Sequence, residues 1–189
     1  WSSDVCSSDL IFAGIRHLIV ADNEMALKRC SLRARELGYR PVILSAEIEG
    51  EARTAARELM SVAKSVRHSL HPGKVPVCLL VGGEITVTVR GEGQGGRNQE
   101  FVLAAAREID GMEEITVLSA GSDGIDGITP AAGAVADGTT VARAEVIGLD
   151  VEDHLARNDS FHFFERLGDL LVTGPTGTNV MDLRIIIIE

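Results

Sequence analysis

The sequence predicts an α/β layered protein, a mixed but mostly parallel sheet with flanking helices, and three observations carry that expectation. Short β-rich apolar runs alternate with stretches of helical periodicity. Thirteen of the 20 glycines fall in three windows (82–96, 121–138 and 174–177), each following an apparent strand. A composition of 45% hydrophobic and 24% charged residues over 189 positions supplies a globular core.

Each element follows from its local pattern. Residues 17–21 (HLIVA) read as a strand that stops at Asp22 and Asn23. Leu27, Cys30, Ala34 and Leu37 then recur at helical steps, with Asn23 as N-cap and Gly38 as the left-handed residue closing the helix. Residues 41–45 (PVILS) read as a buried strand, and Ala52, Ala55, Leu59, Val62 and Val66 mark one face of a second helix ending near Leu70. The turn residues His71, Pro72, Gly73 and Lys74 mark a domain boundary, dividing 11–74 from 75–189. Residues 75–81 read as an apolar strand. Residues 84–90 (EITVTVR) alternate as a half-buried strand does and are expected to pair beside 75–81. A buried helix is expected over 101–109, a strand over 115–120, short helices over 139–147 and 160–167, and late strands over 169–173 and 183–188. Residues 1–10, with the near-repeat Ser2-Ser3-Asp4 and Ser7-Ser8-Asp9, read as a non-native leader.

Composition narrows the partners. Eighteen Lys plus Arg against 28 Asp plus Glu give a net charge of −10, which repels phosphate backbones and anionic lipid, so neither nucleic acid nor a membrane surface is expected as a partner. Cys6, Cys30 and Cys78 are odd in number and lack a C-x-x-C pair, arguing against a disulfide framework or a zinc site and for a reducing cytoplasm. No apolar run approaches the roughly 20 residues that span a bilayer.

The glycine windows point to anion chemistry, because loops beyond strand ends build ligand crevices and glycine lets backbone amides approach an anion. In the first window Gly91, Gly93 and Gly96 satisfy G-x-G-x-x-G between a strand and a helix. Gly93, Gly95, Gly96 and Asn98 are therefore candidate cofactor-binding residues. Arg97, at the expected helix start, adds a planar donor suited to phosphate or carboxylate. The second window, Gly121 to Gly127, sets Asp123 and Asp126 three apart as candidate Mg²⁺ ligands, with Asp123 alternatively orienting or deprotonating a hydroxyl and Gly121 and Ser122 lining the nucleotide. In the third, Gly174, Thr176 and Gly177 offer amides and a hydroxyl to a crevice.

Three long stretches, residues 81–106 (VGGEITVTVRGEGQGGRNQEFVLAAA), 119–127 (SAGSDGIDG) with AAGA at 131–134, and 158–185 (NDSFHFFERLGDLLVTGPTGTNVMDLRI), resemble the MOFRL-type glycerate 2-kinases, also called type II glycerate kinases and in many cases formerly labelled hydroxypyruvate reductases. The resemblance implies a MOFRL domain over 75–189, preceded over 11–74 by the closing part of a Rossmann-like domain most of which this chain lacks. It further implies phosphorylation of D-glycerate at its 2-hydroxyl by ATP with Mg²⁺. Arg97 matches the family's functional arginine in GGRN and Asp123 its functional aspartate in GSDG; the family's catalytic lysine belongs to the portion this chain lacks, so the 189-residue chain alone is expected to be inactive. Ile85 and Pro130 stand where relatives show Thr and Asp. A homo-oligomer is compatible with this reading. The alternatives are an NAD(P)H-dependent hydroxypyruvate reductase, from the G-x-G-x-x-G match, and a non-catalytic nucleotide-binding module.

Overall fold

The computed structural model describes residues 16, 18–70 and 75–189. The leader 1–10, Cys6, His17 and the turn 71–74 lie outside the described residues. Twelve elements follow in the order α1 (Asn23–Glu36), β1 (Arg40–Ile48), α2 (Ala52–Ser69), β2 (Val77–Gly83), α3 (Arg97–Glu108), β3 (Ile115–Gly121), β4 (Gly133–Asp137), α4 (Thr140–Val146), α5 (Val151–Arg157), α6 (Ser160–Leu167), β5 (Leu170–Leu171) and β6 (Asp182–Ile188). The six strands form one sheet in the order β1-β2-β6-β3-β4-β5.

The mixed α/β class holds, with a different balance of strand directions from that expected. Only β1 and β2 pair in parallel, across the α2 crossover. β6 enters between β2 and β3 and runs antiparallel to both, and β4 and β5 continue antiparallel at the far side. Strand direction is set by which long connection returns the chain, which local periodicity does not encode. β1 pairs directly with β2 across the expected boundary at 71–74, so one sheet contains both sides of it.

The core forms on both sheet faces. Val77, Leu79, Val117, Ile186 and Ile188 share one core cluster with Met60 of α2, Phe101 and Leu103 of α3, and Phe163 and Phe164 of α6. Cys78 and Leu80 face α1 and meet Leu27 and Ala34, with Ile185 and Ile187 packed against them. Each fully buried large side chain contributes about 1.5–3 kcal/mol.

Four local expectations change. The strand expected to be buried over 41–45 lies in β1 at one edge of the described sheet, where Val42, Ile43 and Leu44 are exposed because no described strand pairs on their outer side. Asp22, not Asn23, is the N-cap of α1, its carboxylate accepting the Met25 amide at 2.7 Å, while Asn23 is buried. Residues 18–21 form no strand and Leu18, Ile19 and Val20 lie exposed, with no strand among the described residues to accept their amides. Residues 84–90 also stay outside the sheet. Their amides turn to side chains and to the start of α2, and a single bridge joins Thr86 to Glu51. Gly38 closes α1 with φ +90° as expected.

Candidate functional site

The site begins where β2 and β3 end and β6 starts. Asp182 stands in register with Gly83 on one side and Gly121 on the other, so neither neighbouring strand crowds its carboxylate. From that position, with 0% exposure, Asp182 accepts Nε–H and Nη2–H of Arg97 at 2.7 and 2.8 Å. This fork-on-fork geometry fixes the guanidinium plane. Hydrogen bonding to Asp182 pushes Arg97 above its ordinary pKa, against the opposing effect of burial.

A second arginine lies beneath the first. Arg184, two residues along the same face of β6, is fully buried, reaches Asp182 at 3.2 Å and the Gly83 carbonyl at 3.3 Å, and sits 5.3 Å from the Phe101 ring centre. Burial pulls its pKa down to about 10. Arg97 is 26% exposed, with Glu84 at 3.3 Å, and its Nη1 makes no hydrogen bond to another described residue. Arg97 lines a cleft of about 420 Å³ together with Ile85, Val87, Gly93, Gly95 and Gly96. Thus the guanidinium is held by its inner edge and offers its outer one.

The N-terminus of α3 is occupied by the chain's own carboxylate. Asp126, with 0% exposure, accepts Asn98 N–H and Nδ2–H at 3.0 and 3.2 Å on one oxygen, and Gln99 N–H and Nε2–H at 2.9 and 3.0 Å on the other. Burial pushes its carboxyl up, and these four donors act in the opposite sense. Gly96 is glycine because a Cβ there would overlap this carboxylate. Two expectations therefore fail on geometry: a sealed carboxylate with four donors is not placed to bind Mg²⁺, and α3 has no open first-turn amides at Asn98 and Gln99 for a phosphate. Asn98 is likewise buried, its Oδ1 accepting Ser119 Oγ–H at 2.5 Å, and does not face the cleft.

The other two windows meet at the same sheet end. Asp123 is partly exposed and accepts Ile125 N–H at 3.0 Å and Asn179 Nδ2–H at 3.4 Å. Ser122 accepts Val180 N–H at 2.7 Å on its hydroxyl and Thr176 Oγ1–H at 2.6 Å on its carbonyl, tying the loop after β3 to the loop of Gly174, Thr176 and Gly177. Asp123 Oδ1 and Asp182 Oδ1 lie 2.9 and 3.7 Å from the point a Cβ on Gly121 would occupy, so Arg97, Asp182 and Asp123 share one mouth of the sheet. In the first window, however, Gly93 N–H and Gln94 N–H donate to Arg157 and Asp159, and Gly93 and Gly95 press on Asp159 and Ser160. These glycines serve loop packing as well as the cleft wall, and the Gly93 and Gln94 amides are already engaged within the protein.

Among the described residues no group of three or more His, Cys, Asp or Glu side chains could hold a metal ion. Of the two carboxylates expected to bind Mg²⁺, Asp126 is sealed and Asp123 alone keeps free acceptor capacity. Local readings missed Asp182, Arg184, Glu100 and Asn158. The first two carried a signal: a D-x-R pair on alternate positions of a strand otherwise made of Leu and Ile marks a buried ion pair. Ile85 is a core residue at 1% exposure.

Together the fold and site define an α/β protein that presents a carboxylate-clamped arginine at the mouth of its sheet. Residues 77–182 match the MOFRL family, and the chain belongs to that family. A D-glycerate 2-kinase of Thermotoga maritima is 45% identical over 80% of this chain and 36% of its own length. The crystal structure of a glycerate kinase from Thermotoga maritima superposes with a TM-score of 0.87 at 40% identity, covering 91% of this chain and 42% of that one. An Agrobacterium vitis relative, 40% identical over 90% of this chain and 39% of its own, carries a provisional hydroxypyruvate reductase name. The chain thus spans well under half the length of each of these relatives.

Proposed function

We propose that this chain supplies the MOFRL part of a glycerate 2-kinase, which transfers the γ-phosphoryl group of ATP to the 2-hydroxyl of D-glycerate to give 2-phosphoglycerate and ADP. The observation that carries the reading is Arg97, gripped through Nε and Nη2 by Asp182 and open at Nη1. Phosphoryl transfer depends mainly on positioning and on neutralising the transferred group, for which a fixed planar cation is suited. In this reading the glycerate hydroxyl oxygen attacks phosphorus, the bond to the β–γ bridging oxygen breaks, and the hydroxyl proton leaves. Arg97 binds oxygens of the migrating group or of the glycerate carboxylate. Asp123 orients the hydroxyl or takes its proton. Asp182 acts through Arg97, as a positioning residue. Mg²⁺ enters with the nucleotide, and no step is assigned to it in this chain. Free, buried Cys78 and half-buried Cys30 support a reducing, cytoplasmic setting.

In the complete protein, glycerate-dependent ADP release measured through a coupled assay tests the reading. Arg97→Ala is expected to lower kcat/KM by about 10³-fold while nucleotide still binds. Hydroxypyruvate-dependent oxidation of NAD(P)H without ADP release overturns it in favour of the reductase. Nucleotide binding with no turnover on glycerate overturns it in favour of a binding module. The 189-residue chain by itself is expected to release no ADP, and measurable release would refute its inactivity.

A further inference from the structure

Residues 84–91 leave the end of β2 and form one wall of the cleft without joining the sheet, so beyond Ile85, which is buried in the core, their position depends on tethers. Two hang from the start of α2: Thr86 exchanges backbone hydrogen bonds with Gly50 and Ala52 at 2.8 Å each, and Thr88 donates N–H and Oγ1–H to Glu51 at 3.1 and 3.0 Å. The third is buried. Asn158, 5% exposed and left-handed at φ 54°, accepts Arg90 N–H at 2.7 Å and Gly91 N–H at 3.1 Å on Oδ1. Its Nδ2–H donates at 3.1 Å to Oε1 of Glu100, which is 1% exposed and also takes Nε–H of Arg53 at 2.7 Å. Arg53 continues to the Leu155 carbonyl. One buried carboxylate oxygen therefore joins α2, α3 and the turn between α5 and α6, and through Asn158 it joins the arm.

Glu100 lies one turn beyond Arg97 on α3, and both it and Asn158 line the cleft that Arg97 enters. Burying the Glu100 carboxylate carries a desolvation cost that apolar packing would avoid. Here it supplies a single fixed acceptor to which Asn158 can be aligned.

We propose that Asn158, aligned by buried Glu100 and its partner Arg53, is the positioning residue that sets the cleft wall 84–91 against Arg97. In its effect on turnover this rests on the kinase reading; in its effect on the arm it does not.

The test uses the complete protein with Asn158→Asp and Asn158→Gly, both of which tolerate the left-handed backbone. Asn158→Asp keeps an acceptor for the arm but sets a second carboxylate oxygen against Glu100, with Arg53 and Glu51 facing Glu100 and Arg157 and Asp159 flanking the substituted residue. While both carboxylates are charged they repel; once the pair binds one proton, an O–H donor replaces the lost N–H. Relative to wild type, kcat/KM is expected to fall by about tenfold or more near pH 8 and to recover to within about threefold near pH 6. A variant with the wild-type pH profile overturns the proposal. For Asn158→Gly, hydrogen exchange at the Arg90 and Gly91 amides is expected to quicken by about tenfold or more, and unchanged protection there also overturns it. If wild type releases no ADP with glycerate, the kinase reading falls, and the exchange measurement still decides the positioning role.

Discussion

Asp182→Asn removes one charge from a group of three, two of them fully buried, and leaves the backbone of β6 untouched. In the native arrangement Asp182 is the counter-charge of Arg184, which has no exposed surface, and the bidentate clamp of Arg97. The amide keeps one acceptor oxygen but turns an NH₂ toward two guanidinium groups, so Arg184 is left buried without compensation. Breaking a buried pair in this way costs about 3–5 kcal/mol, which for a domain of this size is about 6–20 °C in Tm. Urea unfolding followed by circular dichroism, with the slope m checked for constancy, measures the loss. The double variant Asp182→Asn with Arg184→Met supplies the internal control: removing the stranded cation is expected to return part of the lost stability, a non-additivity that simple loss of packing does not produce. A single-variant loss below about 1 kcal/mol, or a double variant less stable than the single one, would refute the charge cluster as the organiser of this sheet end.

Further outcomes follow from the same geometry. Burial raises the Asp126 carboxyl, so the folded state holds its proton more tightly than the unfolded chain. Wild type should therefore gain stability relative to Asp126→Asn as pH falls from neutral through the raised native value, levelling off below the ordinary carboxylate range; a gain on raising pH instead would contradict the assignment. Gly83→Ala, at φ +114° with Ile48 backbone in the way, should cost at least about 3 kcal/mol in urea unfolding, against about 1–2 kcal/mol for Gly38→Ala at φ +90° in open space. Cys78, pushed by burial up to about 11, should react with iodoacetamide at mildly alkaline pH at least about 100-fold more slowly than a free thiol, as quantified by mass spectrometry of the modified peptide.

Most of the elements are legible from local patterns, since apolar spacing alone places α1, α2, β2, β3 and β6 within a few residues of where they form. The glycine windows also locate one mouth of the sheet, because strand ends must turn there whatever the topology. The misses have physical causes. Residues 84–90 alternate like a strand but find side-chain tethers instead of a sheet partner, and residues 133–137, dominated by Ala and Gly, form β4 by pairing with β3 despite a poor local signal. Asp126 looks like a ligand in the sequence and is a helix cap in space, because the amides it serves lie 28 and 27 residues away.

By itself the sequence determined most of the helical and extended segments, and that Arg97 and Asp123 stand beside glycine-rich turns. Only the tertiary structure decided that β6 runs antiparallel between β2 and β3, and through that placement that Asp182 holds Arg97 from 85 residues away while Asp126 is sealed from solvent. The reason is that hydrophobic periodicity is a property of neighbours along the chain, whereas the pairing of buried charges is settled by which distant strand end arrives beside them.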